Sequence, residues 1–154
     1  MALKLGDTLP EFKLKTKDGE WFYSTSLVGE KPLIIYFYPK NFTPGCTKEA
    51  CSFRDSYEEF KEYGAEVIAI SSDGSASHSR FAEKYNLPFI FLADEKNKVR
   101  KLFGVKSELL GLLPGRETFV FDANAQLKMR YNSIRATGHI QKALNSIKQL
   151  PHGT

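Results

Sequence analysis

Leu33 to Tyr38 (LIIYFY) is an unbroken apolar and aromatic run, and Thr47 to Tyr63 carries Ala50, Phe53, Tyr57 and Phe60 at helical spacing. The first reads as a buried strand and the second as a helix packed along one face. Between them stands Pro39-Lys40-Asn41-Phe42-Thr43-Pro44-Gly45-Cys46, a junction with two prolines and a glycine. Cys46 therefore falls in the first turn of the helix. Unpaired backbone N–H groups and the helix dipole favour an anion there, so a thiolate is stabilised over a thiol and gains nucleophilicity. Pro44 suits a helix start, where its missing N–H costs no bond.

The second cysteine, Cys51, lies five residues on. Along an intact helix that separation is a rise of about 7.5 Å and a turn of roughly 500°, leaving the Cα atoms more than about 8 Å apart. A disulfide needs Cα atoms within about 7 Å. A Cys46–Cys51 bond therefore requires the first turns to unwind, which describes a redox switch and not a static staple.

Other uses of two cysteines fit the chain less well. Buried apolar filling is common for free cysteine, but a Thr-Pro-Gly run at a helix N-terminus is not a filler's setting. A thioredoxin-type dithiol is Cys-x-x-Cys, and four residues intervene here. A metal site needs more ligands, and His78, His139 and His152 stand singly on polar stretches without ligand spacing. No metal or cofactor is expected.

The remaining periodicity gives the layout. Phe12 to Thr16 and Trp21 to Ser24 flank a Lys-Asp-Gly turn and read as an N-terminal hairpin. Glu66 to Ser71 reads as a buried strand, Ser77 to Tyr85 as a helix, Phe89 to Leu92 as a short strand, and Glu95 to Phe103 as a helix closing at Gly104. Thr118 to Asp122 and Gln126 to Tyr131 read as a hairpin, and Ile140, Leu144 and Ile147 mark the core face of a last helix. Strands alternate with helices first and end in a hairpin, so an α/β fold with a mixed sheet flanked by helices is expected. A length of 154 residues is one domain's worth, 1–154, able to bury about 70% of its unfolded surface without a structural disulfide.

The net charge is +4, but lysines and arginines are interleaved with acids, which argues for a solvated surface and against nucleic-acid binding. No apolar run approaches the roughly 20 residues of a membrane helix, and the N-terminus lacks a signal-peptide apolar core. A cytoplasmic protein is expected, or a chloroplast one if a transit peptide has been removed. Gly104-Val105-Lys106-Ser107 ends like a phosphate-binding loop but lacks the earlier glycine, and Asn41-Phe42-Thr43 matches a glycosylation acceptor without a secretory context.

Pro-x-x-x-Thr-x-x-Cys with a cysteine five residues further on resembles the peroxiredoxin Q, or bacterioferritin comigratory protein, family. FRDSYEEF at 53–60, the G-AEVI-IS pattern around 64–71, LPF at 87–89 and LPGRETFVFD at 113–122 extend the resemblance over nearly the whole chain. It implies a thioredoxin-like fold and a peroxidase acting on hydrogen peroxide or organic hydroperoxides, without metal or haem. It makes Cys46 the peroxidatic thiol and Cys51 the resolving one. Thr43 is implied to align peroxide and thiolate, Pro39 to shield the pocket from water, and Arg116 to set its guanidinium beside the sulfur. Thioredoxin or a similar dithiol is implied as reductant, and a monomer is expected because resolution needs no second subunit.

Three residues keep a second reading. Arg116 lies two residues before the strand at Thr118, so strand geometry extended backwards puts both on one face; alone, an arginine in a Pro-Gly loop is ordinarily a surface charge. Thr43 also reads as a helix N-cap. Glu49 is open between a surface pair with Arg54 and a role in orienting Arg116. A redox-responsive binding module switched by the same disulfide is the alternative function, and it has no need of groups that polarise a peroxide.

Overall fold

The computed structural model describes residues 3–27, 29–106, 115–133, 135–136 and 138–150. Strands β1 (Lys13–Thr16) and β2 (Trp21–Tyr23) form the N-terminal hairpin, followed by β3 (Leu33–Phe37), helix α1 (Pro44–Glu62), β4 (Glu66–Ser71), α2 (Ser75–Tyr85), β5 (Ile90–Ala93) and α3 (Lys98–Phe103). The chain continues through β6 (Glu117–Phe121), β7 (Leu127–Asn132) and α4 (His139–Lys148). One seven-stranded sheet results, in the order β2-β1-β5-β4-β3-β6-β7. The helical crossovers α1 and α2 make β3, β4 and β5 parallel, while β1, β6 and β7 run antiparallel to their neighbours. The expected mixed sheet and N-terminal hairpin are both present.

Strand β3 lies between β4 and β6 and is buried throughout, which is why its sequence is apolar at every position and does not alternate. Alternate side chains nevertheless serve two cores. Ile34, Tyr36 and Tyr38 pack with α1, α2 and α4, and Leu33, Ile35 and Phe37 pack with Val99 and Phe103 of α3. Helix α1 is seated by Phe53, which stacks on Tyr36 at 4.4 Å between ring centres, and by Phe60; both are fully buried. The Tyr57 hydroxyl donates to Glu66 Oε1 at 2.9 Å and ties the C-terminal half of α1 to the start of β4.

Helix α1 begins at Pro44, the expected entry, where proline takes the first helical position without losing a bond. Two other helix starts differ from expectation. Helix α2 begins at Ser75 and not Ser77. Helix α3 begins at Lys98 and not Glu95. The Asp94 carboxylate accepts the N–H groups of Val99 (3.1 Å) and Arg100 (2.9 Å), and Asn97 turns into the left-handed region at φ 57°, so the intervening residues form the turn before the helix.

Candidate active site

The loop that leaves β3 at the C-terminal end of the parallel strands is pinned by a buried polar cluster. The Asn41 N–H donates to Asp73 Oδ2 (2.9 Å), and its side-chain amide donates to Ser77 Oγ (3.1 Å) and His78 Nδ1 (3.0 Å). The Tyr38 hydroxyl donates to Asn41 Oδ1 at 2.5 Å. Phe42 is thereby held at φ 67°, a left-handed conformation that costs a non-glycine residue about 1–2 kcal/mol. Its half-exposed ring lies edge-on to Phe81 at 5.1 Å. The strain reverses the chain so that Thr43 returns to extended geometry and Pro44 opens α1.

Cys46 lies in the first turn of α1 and is 1% exposed. Arg116, two residues ahead of Thr118 and immediately before β6, donates from Nη2 to Cys46 Sγ at 3.5 Å. Its Nη1 donates to Glu49 Oε1 in an ion pair buried on both sides. Glu49 is thus not paired with Arg54, which instead binds Asp55 and donates to the Tyr85 carbonyl at 2.7 Å. The approach is close: a Cβ built on Gly45 would lie 3.2 Å from Arg116 Nη2, so glycine lets the first turn come up against the guanidinium. The sulfur therefore meets both the helix N-terminus and a planar cation in a place shut off from bulk water.

Behind Glu49 stands a residue that sequence patterning misjudged. His139 is not on a polar surface stretch but fully buried, with Nδ1 2.8 Å from Thr118 Oγ1 and 3.7 Å from Glu49 Oε2. Its Nε2 lies 2.9 Å from the Ser133 carbonyl, an acceptor only, so Nε2 carries the proton and Nδ1 offers a lone pair. Burial pushes the Glu49 carboxyl up to about 8 against the opposing pull of Arg116, and burial pulls His139 down to about 4. Position 139 precedes Ala143 and Ile147 at four-residue steps, which is the signal that puts it on the core face of α4. His78 is likewise fully buried, on α2, and desolvation lowers it to about 4. His152 lies outside the described residues.

The other expected site residues lie on the loop after β3 and on α1. Thr43 occupies the N-cap position, but its hydroxyl donates back to the Lys40 carbonyl at 2.9 Å and makes no cap bond to the helix. Pro39 is half-buried in the loop after β3, and Cys51 is half-buried further along the continuous helix; both cysteines are free thiols. Arg100 had no signal in its basic surroundings. It is buried and donates to the Gly115 carbonyl (2.7 Å) and the Tyr38 carbonyl (2.8 Å), clasping together the residues that immediately precede Arg116 and Pro39. Among the described residues no group of three or more His, Cys, Asp or Glu side chains is placed to hold a metal ion.

These buried groups set a pH signature for stability. Unfolded, each imidazole titrates near 6.5, but folded His78 and His139 titrate near 4, so the unfolded chain binds the extra protons and stability falls as pH drops from 6.5 towards 4. Glu49 acts in the opposite sense, its contribution being lost as pH rises from 4.5 through about 8. Stability is expected to peak near pH 6.5. Replacing either histidine by glutamine should flatten the acid side by about 1.4 kcal/mol per pH unit for each proton removed. Urea unfolding from pH 4 to 8 measures this, and an unchanged acid limb in both variants would contradict it.

Residues 5–130 match the model of the AhpC/TSA family. A chloroplastic peroxiredoxin Q of Sedum lineare is 51% identical over 94% of this chain and 78% of its own. Peroxidoxin BcpB of Mycobacterium tuberculosis superposes with a TM-score of 0.88 at 36% identity, covering 97% of this chain and 99% of that one. A Xanthomonas campestris bacterioferritin comigratory protein, described for its alkyl peroxide reduction activity, superposes with a TM-score of 0.82 at 27% identity over 92% of this chain and 98% of its own. The fold is thioredoxin-like, and the chain belongs to the AhpC/TSA family, among its peroxiredoxin Q thiol peroxidases.

Proposed function

We propose that Cys46 is the peroxidatic thiol and Cys51 its resolving partner. The observation that carries this is the Cys46 sulfur, buried in the first turn of α1 and 3.5 Å from a guanidinium that Glu49 holds from behind. The Cys46 thiolate attacks one oxygen of a peroxide; the O–O bond breaks, the sulfur is oxidised to a sulfenic acid, and the other oxygen leaves as alcohol or water after taking a proton. Arg116 stabilises both the thiolate and the charge developing on the peroxide oxygens. Thr43 orients the peroxide from the helix start, and Pro39 keeps water from the sulfur. His139 packs behind Glu49, its Nδ1 3.7 Å from Oε2.

Resolution follows from helix geometry. Cys51 attacks the sulfenic sulfur, water leaves, and the disulfide forms only after the start of α1 unwinds. Thioredoxin or a similar dithiol then reduces the bond and is itself oxidised. Hydrogen peroxide and organic hydroperoxides are the substrates, the enzyme works as a monomer, and the compartment is the cytoplasm, or the chloroplast named for the plant relatives. Among the described residues no helix is long and apolar enough to cross a membrane. Turnover with peroxide, thioredoxin, thioredoxin reductase and NADPH tests the reading: NADPH oxidation that depends on this chain supports it, and peroxide binding or oxidation without turnover leaves only a redox-responsive module.

Unwinding has its own test. One equivalent of peroxide should raise amide exchange from residue 44 to about residue 52, while protection from Phe53 onwards persists, because Phe53 and Phe60 stay seated in the core. Unchanged protection over the first turns in the oxidised form would defeat the argument.

A further inference from the structure

On the far side of the sheet from α1, strand β1 parts from β5. The two are paired only at Lys15↔Ala93 and Thr16↔Leu92, whereas β1 continues along β2 to Lys13↔Tyr23. The parting opens a cleft of about 570 Å³ between β1 and α3, within the roughly 300–1,000 Å³ range of small-molecule sites. Its apolar lining includes Phe12, Leu14 and Val99, which belong to or pack against the second core, and the exposed side chains of Trp21 and Leu102, at 50% and 44%.

The rim is cationic and uncompensated. Lys13, Lys15, Lys96 and Lys98 all line the cleft and are exposed, and among the described residues none of the four has a carboxylate partner. Lys13 and Lys15 rest instead on the Trp21 ring, with Nζ 4.7 and 5.3 Å from its centre. Of the two acids in the lining, Asp94 is buried and engaged with the N–H groups of α3, which leaves Glu95 against four ammonium groups. Such a rim calls for an anion, and the floor calls for an apolar body without hydrogen-bonding groups to leave unsatisfied. A peptide brings a backbone N–H and C=O at every residue, which an apolar floor does not satisfy.

We propose that this cleft binds a free long-chain carboxylate, its alkyl chain on the apolar floor and its head among Lys13, Lys15 and their neighbours. No part of the peroxidase reading is needed for this. Trp21 is the only tryptophan of the chain and lies in the cleft wall, so its emission reports occupancy directly.

Titrating the reduced full-length chain with dodecanoate, kept below its micellar concentration, should change Trp21 emission saturably. Dodecan-1-ol and acetate, which supply only the chain or only the head, should bind at least tenfold more weakly. By calorimetry, Lys13→Glu with Lys15→Glu should weaken dodecanoate at least tenfold, and so should Leu102→Asp, with peroxide turnover unchanged in both. No saturable change, an equal response to dodecan-1-ol, or undiminished affinity in both variants would overturn the assignment. Binding of an acidic peptide in place of dodecanoate would also overturn it, by giving the cleft to a protein partner.

Discussion

Cys46→Ser is expected to abolish peroxide turnover outright, since a hydroxyl at the same helix N-terminus stays protonated and is a far weaker nucleophile. Cys51→Ser should behave differently. It keeps the attacking sulfur, so it should complete one rapid turnover and stop as a sulfenic acid that dimedone traps. Without the intramolecular partner, a second peroxide should carry that acid to the sulfinic state at much lower peroxide than in the wild type. In the wild type the partner is on the same helix, so disulfide formation should not depend on protein concentration. Non-reducing gels and intact mass after graded peroxide check all of this. Thioredoxin-dependent turnover by Cys46→Ser, or a disulfide-linked dimer as the main wild-type product, would refute the assignment of the two sulfurs.

Arg116→Lys should lower the second-order rate with peroxide by about a hundredfold although charge is preserved, comparable to removing one positioned donor from an oxyanion site. The guanidinium spends one arm on Glu49 and another on the sulfur, and a single ammonium cannot occupy both directions. Above pH 8, where the Glu49 carboxyl is ionised, Glu49→Gln keeps an acceptor for Arg116 but removes the counter-charge, so an intermediate loss of about tenfold is expected there. Stopped-flow measurement of sulfenic acid formation isolates this step from resolution. Equal rates for wild type and Arg116→Lys would remove Arg116 from the chemistry.

Much of this site is visible in the sequence because its parts follow local rules. The β3 run, the loop prolines and the α1 periodicity place Cys46 at a helix start, and two-residue spacing sets Arg116 with Thr118. Glu49 was legible in part: it sits three residues after Cys46 and four before Phe53, on the buried face of α1, where a carboxylate requires a partner. Sequence pattern does not say which cation provides it, because Arg116 arrives from 67 residues away. Arg100 left no trace, since its bonds run to backbone carbonyls of distant segments. The histidines misled for a plainer reason. Polar neighbours on an amphipathic helix face solvent while the residue between them turns inward, so composition around His78 and His139 says little about where they point.

The seating of α1 at Phe53 also sets a dose threshold. Sulfenic acid waits at Cys46 until the turns ahead of Phe53 fray, so the opened fraction of that short segment fixes how long a second peroxide has to strike. Each 1.4 kcal/mol of added local stability lowers the opened fraction about tenfold, and with it the peroxide concentration at which inactivation overtakes resolution. Gly45, a poor helix former in the first turn, keeps that segment easy to open and at the same time leaves room for Arg116. Tolerance of an oxidant is thus encoded in the fraying of a helix end, a property that changes in the surrounding packing can tune without touching either sulfur.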